Sequence, residues 1–411
     1  MVPKGWEKNS LDSLFEFKNG LNTEKEQYGN GYKFVNVMDV FRNDILTESK
    51  IIGRVQVTDK QLEGYQLKYG DVLFNRTSET FDEIAIAAIY LDNAIATFGG
   101  FVIRARPKGN QIDPAYSVFL FQSKSYRSQV VKLGQGAIRA NIGQKDLARV
   151  CILVPPLAEQ KKIAQILSTW DKAISVTEKL LTNSQQQKKA LMQQLLSGKK
   201  RLLDENGVMF SGEWEVVRLK QLIHEEKKRN RDNHIQRVLS VTNHSGFVLP
   251  EEQFSKRVAS EDVSTYKIVK KNQYGYNPSR LNVGSFARLD NYDEGVLSPM
   301  YVVFSINHER LNSDYFLNWM SSNEAKQRIA GSTQGSVRDS VGFDALCSFS
   351  FSLPTLMEQQ KIAAVLSAAD AEMSMLEKKL ACLKEEKKAL MQQLLTGKRR
   401  VKVESEETVS A

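Results

Sequence analysis

The sequence has few of the residues that hold metal ions or form disulfides. Among 411 residues there are four histidines and three cysteines, Cys151, Cys347 and Cys382. No cysteines stand in a CxxC pattern, and no histidines have the HxxxH spacing of a metal site. An odd number of cysteines without such spacing is typical of reduced thiols. The pattern therefore predicts neither a disulfide-stabilised fold nor a structural zinc site.

Long apolar runs are also missing. A membrane-spanning helix needs about 18 consecutive apolar residues, and no such stretch occurs. The first residues, MVPKGWEKNS, lack the apolar core of a signal peptide. We therefore expect a cytoplasmic protein without a membrane partner.

Common catalytic motifs are absent as well. The chain contains no GxxxxGK[ST] phosphate loop, no GxSxG nucleophile turn and no PD…(D/E)xK nuclease pattern. The string nearest to the NPPY motif of DNA amino-methyltransferases is Asn277-Pro278-Ser279-Arg280, without the second proline and the aromatic residue. Because no glycine-rich cofactor loop accompanies it, a turn is the better interpretation. The sequence predicts a protein that is not an enzyme and has no cofactor or metal of its own.

Basic residues outnumber acidic ones. Lysine and arginine total 57 against 48 acidic residues, which gives a net charge of +9 and a pI near 9.2. This excess is compatible with a polyanionic partner such as nucleic acid. Charge alone says little about specificity, so other features must decide.

One fifteen-residue phrase occurs twice. KKALMQQLLSGKKRL begins at Lys188, and KKALMQQLLTGKRRV begins at Lys387, 199 residues later. At the same offset, residues 159–201 and 358–400 are identical at 24 of 43 positions without a gap. Further upstream, Trp6 has a counterpart in Trp214, and LFNRTS at 73–78 loosely matches GYNPSR at 275–280. The sequence therefore predicts a duplication of about 200 residues and a two-lobed, pseudo-symmetric molecule.

The best-matched part of each copy is predicted to be a long helix, over residues 155–198 and 354–397. Pro155-Pro156 suits the start of the first helix, and Thr355 with Glu358 has the spacing of a capping box. Gly198 and Gly397 stand where each helix should end. About 40 residues at 1.5 Å per residue make each helix roughly 60 Å long.

Apolar residues recur along both helices at alternating spacings of four and three, the pattern of a coiled-coil seam. Lys188 and Lys387 fall at seam positions that usually hold apolar residues. We expect the two helices to pair antiparallel; the alternative, in which each helix packs on its own lobe, remains open. The predicted seam consists of Ile163, Leu167, Trp170, Ile174, Leu181, Leu191 and Leu195, with Ile362, Leu366, Met373, Leu376, Leu380, Leu383, Leu390 and Leu394.

The parts before these helices are predicted to be mixed α/β lobes. Short runs rich in valine, isoleucine and aromatic residues predict strands at 33–40, 83–91, 100–107 and 300–306. Residues 113–133 and 313–330 are predicted helices. The predicted fold class is α+β, with two α/β lobes at opposite ends of an antiparallel two-helix coiled coil and a pseudo-twofold relation. The predicted parts are 1–154 (first lobe), 155–198 (central helix), 199–211 (linker), 212–353 (second lobe), 354–397 (C-terminal helix) and 398–411 (disordered tail).

The doubled motif resembles that of a known family. PPLAEQKKIA at 155–164 and PTLMEQQKIA at 354–363 each open a long helix, and each helix closes with LMQQLL, serine or threonine, and Gly-Lys. Each helix follows a lobe that contains QGxxR. In these features, over nearly the whole chain, the sequence resembles the specificity (S) subunit of Type I DNA restriction-modification systems.

The resemblance implies a DNA-binding role without catalysis. It implies that each lobe is a target recognition domain reading one half of a bipartite, asymmetric target in double-stranded DNA. It also implies that the paired helices set the spacing and dock two modification (M) subunits, which use S-adenosylmethionine to methylate adenine. Restriction (R) subunits would add ATP- and Mg-dependent cleavage. Two alternatives stay open: a coiled-coil scaffold without a DNA role, and the recognition part of a fused restriction-methylation enzyme.

The resemblance does not identify the DNA-contacting residues, so we predict them from the lobe sequences. Polar and basic residues in loops between strands reach phosphates and base edges. Arg139 and Arg338 occupy equivalent positions in a glycine-containing loop, which suggests a shared role such as a phosphate contact; a structural role at the helix is the alternative. The predicted contacts are Asn75, Arg76, Thr77, Ser78 and Arg139 in the first lobe, and Asn277, Arg280, Asn282 and Arg338 in the second.

Overall fold

The chain divides into two compact units, each with one lobe and parts of both long helices. The computed structural model describes residues 2–136, 138–253, 262–333 and 340–403. Unit 1 is Met1–Glu178 together with Lys379–Ala411, and unit 2 is Lys179–Lys378. Among the described residues, no helix combines the length and apolar character needed to cross a bilayer.

The first lobe mixes short strands with short helices. Its strands are β1 (Glu7–Ser10), β2 (Phe15–Asn19), β3 (Tyr28–Val35), β4 (Ile45–Leu46), β5 (Arg54–Val55), β6 (Val72–Asn75), β7 (Thr77–Ser78), β8 (Ala87–Tyr90), β9 (Ala96–Phe98), β10 (Val102–Pro107), β11 (Ala140–Asn141) and β12 (Cys151–Val154). Its helices are α1 (Leu11–Leu14), α2 (Val37–Arg42), α3 (Asp59–Tyr65), α4 (Pro114–Leu120), α5 (Lys124–Leu133) and α6 (Gln144–Ala148).

The central sheet of this lobe has the strand order β2-β10-β6-β8-β4, and β10 pairs antiparallel with both β2 and β6. A second sheet has the order β5-β3-β9, and two further pairs are β1-β12 and β7-β11. Ile103 and Ala105 of β10 face a core that includes Phe74 and Tyr116, whereas Val102 faces a second apolar cluster. The central strands β10, β6 and β8 are therefore buried on both faces.

Two predictions for the first lobe are corrected by capping residues. The strand predicted at 33–40 ends at Val35, because Asn36 begins α2 and its N–H donates to Asp39 Oδ2 at 2.8 Å. The helix predicted at 113–133 is two helices, since Ser123 Oγ accepts from the N–H of Tyr126 at 3.3 Å and starts α5. The strand predicted at 100–107 is confirmed as β10.

The second lobe has the same class of architecture. Its strands are β13 (Glu215–Arg218), β14 (Ile223–Glu225), β15 (Ser240–Thr242), β16 (Gly246–Val248), β17 (Lys267–Lys270), β18 (Tyr274–Tyr276), β19 (Phe286–Arg288), β20 (Glu294–Leu297), β21 (Val302–Ile306) and β22 (Ser350–Leu353). Its helices are α8 (Pro250–Gln253), α9 (Ser313–Met320), α10 (Asn323–Thr333) and α11 (Phe343–Ser348). The main sheet has the order β14-β21-β18-β19, and the remaining pairs are β15-β16, β17-β20 and β13-β22.

Aromatic rings fill the core beneath β18 and β21. Tyr274 stacks on Phe304 with ring centroids 5.2 Å apart and meets Phe316 edge-on at 5.5 Å. The predicted strand at 300–306 is confirmed as β21. The helix predicted at 313–330 is again two helices, because Ser322 Oγ accepts from the N–H of Ala325 at 3.2 Å and caps α10.

The two long helices are confirmed as α7 (Leu157–Leu195) and α12 (Leu356–Leu394). Each has 39 residues, which corresponds to about 58 Å. Thr355 Oγ1 accepts from the N–H of Glu358 at 3.4 Å, so one half of the predicted capping box forms. The Glu358 carboxylate is instead bound to side chains outside the helix.

In unit 1 the start of α7 pairs antiparallel with the end of α12. Asp171 forms an ion pair with Lys387, and Glu178 forms one with Lys384 at 2.7 Å. Burial raises the pKa of the nearby Asp44 carboxyl, although the Lys387 charge acts in the opposite direction. Lys387, which the sequence places in the seam, therefore lies among acidic groups.

Unit 2 repeats this arrangement with the other ends of the helices. Lys188 forms an ion pair with Asp370 at 2.5 Å, and Ser184 Oγ donates to Glu372 at 3.4 Å. The residue numbers fall on one helix as they rise on the other, so the pairing in this unit is antiparallel too. Both seam lysines thus meet aspartates at equivalent positions.

The predicted seam residues are all buried or half-buried, with burial greatest at the helix ends. Ile163 and Leu167 pack with Leu394 inside the first lobe's core, and Leu195 packs with Ile362 inside the second lobe's core. Midway, residues such as Trp170, Leu181 and Leu380 are half-buried. Each helix end therefore packs both on a lobe and on the other long helix. Helix pairing and packing on a lobe, the two alternatives left open by the sequence, occur together.

The first residues of the predicted disordered tail are ordered. Arg400 donates to the carbonyl of Lys4 at 2.8 Å, and Val401 packs against the first lobe's core. Residues 404–411 lie outside the described part. Within the predicted tail, Arg400 and Val401 are therefore held to the first lobe by one polar and one apolar contact.

Candidate nucleic-acid interface

Three segments of the first lobe meet at one edge, which we call the loop edge: residues 76–77, 99–101 and 138–141. The N–H of Arg76 donates to the carbonyl of Phe101 at 2.9 Å, and the N–H of Ile142 donates to the carbonyl of Arg76 at 3.0 Å. Strand β7 pairs antiparallel with β11, and Thr77 Oγ1 donates to Asn141 Oδ1 at 3.0 Å. Backbone bonds therefore place the segments side by side.

The loop edge carries two exposed arginines, Arg76 and Arg139. Their guanidinium groups form no hydrogen bond or ion pair within the described ranges. Thr77 is half-buried and bonded to Asn141. Exposed guanidinium groups without intramolecular partners are suited to phosphate oxygens and guanine edges.

Two of the predicted contacts in this lobe are buried, and we no longer assign them to DNA. Asn75 is 0% exposed, and its Nδ2 donates to the carbonyl of Glu83 at 2.9 Å. Ser78 is also buried, and its Oγ donates to the Glu83 carboxylate at 3.3 Å. A side chain without solvent access cannot reach a base edge, so these two residues hold the loop in place.

In the second lobe the corresponding feature is a 3₁₀ turn, Pro278–Val283. Asn277 caps it, with Oδ1 accepting from the N–H of Ser279 at 3.0 Å. Arg280 and Asn282 are exposed on the turn. Arg338 lies outside the described residues, so its predicted equivalence with Arg139 stays a prediction.

A backbone hydrogen bond attaches this turn to the second lobe, and the equivalent bond attaches the Arg76 segment to the first lobe. The N–H of Val341 donates to the carbonyl of Pro278 at 3.0 Å, and Val341 follows Ile142 by the repeat offset of 199 residues. The weak match between LFNRTS and GYNPSR is therefore a structural equivalence. The two lobes share this attachment but present different residues from it.

Sequence reasoning missed the polar cluster at the base of α7. Glu159 is buried, and its carboxylate accepts from Arg400 Nε at 2.7 Å and Nη2 at 2.8 Å. It also accepts from Trp6 Nε1 at 3.0 Å. Hydrogen bonding to Glu159 raises the pKa of the Arg400 guanidinium. The cluster thus joins the lobe, the start of α7 and the residues after α12.

The base of α12 repeats this cluster in unit 2. Glu358 accepts from Arg201 Nε at 2.6 Å and Nη2 at 2.8 Å, and from Trp214 Nε1 at 3.1 Å. Trp6 and Trp214 are therefore true counterparts, as the sequence suggested. The signal was present in the identical Glu-Gln and Gly-Lys strings of the repeat.

The glutamine after each of these glutamates fastens the helix to its lobe. Gln160 Nε2 donates to the carbonyls of Gln111 and Pro155 at 2.8 Å each, and its Oε1 accepts from the N–H of Asp113 at 2.8 Å. Gln359 makes the equivalent three bonds in the second lobe. Buried polar groups that are fully bonded favour one orientation of helix on lobe.

Each unit also has a lysine-lined groove between the last turns of one long helix and a serine-containing turn of the lobe. The groove of unit 1 has a volume of about 580 Å³, and that of unit 2 about 510 Å³. Their linings correspond at the repeat offset: Lys387, Lys388, Met391, Leu395, Lys398 and Ser123 in unit 1, and Lys188, Lys189, Met192, Leu196, Lys199 and Ser322 in unit 2.

Comparison with family models finds one domain twice in the chain. Residues 3–183 and 211–385 match the model described as "Type I restriction modification DNA specificity domain". Together the two matches cover well over half of the chain. The matched segments begin in the lobes and extend into the long helices.

Curated relatives have similar descriptions. One relative is the "Putative type I restriction enzyme MjaX specificity subunit" of Methanocaldococcus jannaschii, which is 26% identical to this chain. The alignment covers 98% of this chain and 95% of the relative. The chain is 24% identical to the EcoKI specificity subunit of Escherichia coli, over 45% of this chain and 40% of that protein.

Solved structures share the fold. The S subunit of a Type-I restriction-modification system from M. genitalium aligns with a TM-score of 0.55 at 14% identity, covering 96% of both chains. The HsdS subunit from Thermoanaerobacter tengcongensis aligns with a TM-score of 0.51 at 17% identity, covering 97% of this chain and 98% of that one. The predicted fold class is thereby confirmed.

Proposed function

The chain belongs to the family of the type I restriction modification DNA specificity domain, which it carries twice, and we propose that it reads a two-part, asymmetric DNA target with one lobe for each part. The observation that carries this proposal is that the two lobes hold equivalent loops by the same backbone hydrogen bond but expose different side chains from them. Ile142 binds the carbonyl of Arg76, and Val341 binds that of Pro278, yet the exposed residues differ. One scaffold with two surfaces suits two different half-sites.

In this proposal the exposed arginines make the DNA contacts. Arg76, Arg139 and Thr77 act for the first lobe, and Arg280 and Asn282 act for the second, with Arg338 as a further candidate. Arginine forks onto guanine or holds phosphate, and asparagine pairs with adenine. The net charge of +9 supports a polyanionic partner.

The chain itself serves as the recognition and assembly subunit and leaves catalysis to its partners. The absence of catalytic motifs from the sequence supports this division. Methylation of adenine would be carried out by two modification subunits with S-adenosylmethionine, and cleavage by restriction subunits with ATP and Mg. The complex would act on cytoplasmic double-stranded DNA.

The two modification subunits would dock at the equivalent grooves of unit 1 and unit 2. Each groove offers an apolar floor, Met391 and Leu395 or Met192 and Leu196, with lysines at the rim. An apolar floor with a cationic rim suits a helix that has apolar and acidic faces. Two equivalent sites on one chain would bind two copies of one partner.

The helix pair would set the unread gap between the half-sites. Antiparallel pairing with ion pairs at equivalent positions, such as Lys188–Asp370, defines a single register. A helix pair of defined register is a spacer of defined length. The gap should then follow helix length, at about 5.4 Å per turn against about 3.4 Å per base pair.

Long-read methylation sequencing of a host with and without this gene tests the proposal. A gapped, two-part adenine-methylation motif should appear only when the gene and its modification partner are both present. A scaffold without a DNA role would leave the methylation pattern unchanged. A continuous motif without a gap would contradict the reading of two separate half-sites.

A further inference from the structure

The loop edge of the first lobe ends in an aromatic residue at the tip of a turn. Phe101 is 66% exposed, the highest exposure of any phenylalanine, tyrosine or tryptophan in the described part of the chain. It follows Gly99 and Gly100 in the turn between β9 and β10. Single exposed apolar residues are common, but this one stands on a turn whose backbone is held in place.

Hydrogen bonds on every side hold the backbone of this turn. The N–H of Gly99 donates to the carbonyl of Val35 at 3.0 Å, and the N–H of Val102 donates to the carbonyl of Gly99 at 2.9 Å. The carbonyl of Phe101 accepts from the N–H of Arg76 at 2.9 Å. Two of these bonds tie the turn to neighbouring segments and the third closes the turn, so its backbone is a rigid support for the side chain.

Close packing fixes the same turn from below. A Cβ at Gly99 would lie 2.7 Å from Cζ of Phe34, and a Cβ at Gly100 would lie 2.0 Å from Oδ1 of Asn22. Gly99 is therefore required in this conformation because the Phe34 ring is buried, whereas a Cβ at Gly100 would only require the Asn22 side chain to move. The two glycines bring the turn down onto the lobe, while Phe101 points its ring into solvent.

The neighbours of Phe101 extend the pattern. Arg76 is bonded to it through the backbone, and on the far side of Arg76 the next segment presents Ile138, 92% exposed, beside Arg139. The loop edge thus has two pairs, each of one exposed apolar and one exposed cationic side chain. Proteins that unstack DNA insert an apolar side chain at a base step while cationic side chains hold the backbone.

We propose that Phe101 inserts against a base step of the half-site read by the first lobe, while Arg76 holds the adjoining phosphate. Because the backbone beneath the ring is already held, the turn loses little conformational freedom on contact, which favours binding. Because every base has an apolar face, the ring contributes affinity, and the ease of unstacking adds sequence preference at that step. This inference rests on the proposed function.

The test uses the complete chain with its modification partner and the DNA target found by methylation sequencing. Phe101→Ala should weaken specific binding about 5- to 150-fold, the range expected for one stacked aromatic ring. Phe101→Trp should retain binding. The control is Tyr69→Ala, which removes an exposed ring from a turn that packs near Pro114, where α4 begins, and should leave the affinity unchanged.

Insertion is distinguished from surface contact by 2-aminopurine placed at each non-methylated position of that half-site. In the wild-type complex the fluorescence should rise at one base step, and Phe101→Ala should abolish this rise. Loss of affinity without a change in fluorescence would overturn insertion. Equal binding by wild type and Phe101→Ala would overturn this inference alone, whereas a wild-type complex without specific binding would overturn the proposed function with it.

Discussion

The buried carboxylate at the base of α12 allows a sharp test of how the repeat holds the fold together. Glu358 accepts two hydrogen bonds from Arg201 and one from Trp214, and its side chain is 1% exposed. Glu358→Gln keeps the size of the side chain and removes the charge. It also replaces one acceptor oxygen by an amide NH₂ that faces the donors of Arg201.

We expect this change to lower the free energy of unfolding of unit 2 by about 3 kcal/mol. One charge-assisted hydrogen bond contributes about 1.5–3 kcal/mol, and breaking a buried ion pair costs about 3–5 kcal/mol. The lower part of that second range applies because the Arg201 side chain keeps 21% exposure and is partly solvated. Combining Arg201→Met with Glu358→Gln should recover part of the loss, since neither buried partner is then left uncompensated.

The measurement is hydrogen exchange as a function of urea, read on peptides from β22 and the first turns of α12. Glu377→Gln, at an exposed position of the same helix, is the control and should change little. Glu159→Gln should cost less than Glu358→Gln, because the side chain of Arg400 is 43% exposed. A loss below about 1 kcal/mol for Glu358→Gln would refute the reasoning, because breaking a buried ion pair costs more.

Three further predictions concern DNA and partner binding. Arg280→Ala should reduce the free energy of DNA binding by about 1–3 kcal/mol and relax specificity at one base position. Arg139→Ala should weaken binding to all sequences alike and reduce the slope of affinity against salt by about 1. Equal loss of binding to specific and random DNA in Arg280→Ala would exclude base reading by Arg280. Four residues inserted at mid-length of both long helices should change the methylated gap by one or two base pairs, and an unchanged gap would exclude the helix pair as spacer. Lys388→Glu and Lys189→Glu should each reduce the number of bound modification subunits from two to one, as measured by light scattering. Lys378→Glu, outside the grooves, should leave two bound. Two bound subunits in the groove variants would exclude the grooves as docking sites.

Features that depend on local periodicity were accessible from sequence. The a/d pattern in residues 155–198 and 354–397 is confirmed as α7 and α12, with every predicted seam position at least partly buried. The duplication was equally clear, because identity at a constant offset needs no knowledge of the fold. Shorter elements were less certain, since a capping serine such as Ser123 divides an apolar run that otherwise fits one helix.

The candidate DNA contacts show where local reasoning stops. Arg76 and Asn75 are adjacent in a polar string, yet Arg76 is exposed and Asn75 is buried. Which of two neighbours faces solvent depends on the segments packed around them, here β11 and the turn at Glu83. Phe101 was missed because its importance comes from the support beneath the turn, which is invisible in the string GGF.

The sequence by itself determined that the chain has two copies of one plan and a long helix in each. It did not determine which copy's arginine meets which copy's glutamate, because both glutamates stand in the same local pattern. The tertiary structure decided this: Arg201 binds Glu358, 157 residues away, and Arg400 binds Glu159, 241 residues away. Antiparallel pairing brings the end of each long helix to the start of the other, and only that long-range geometry selects between chemically identical partners.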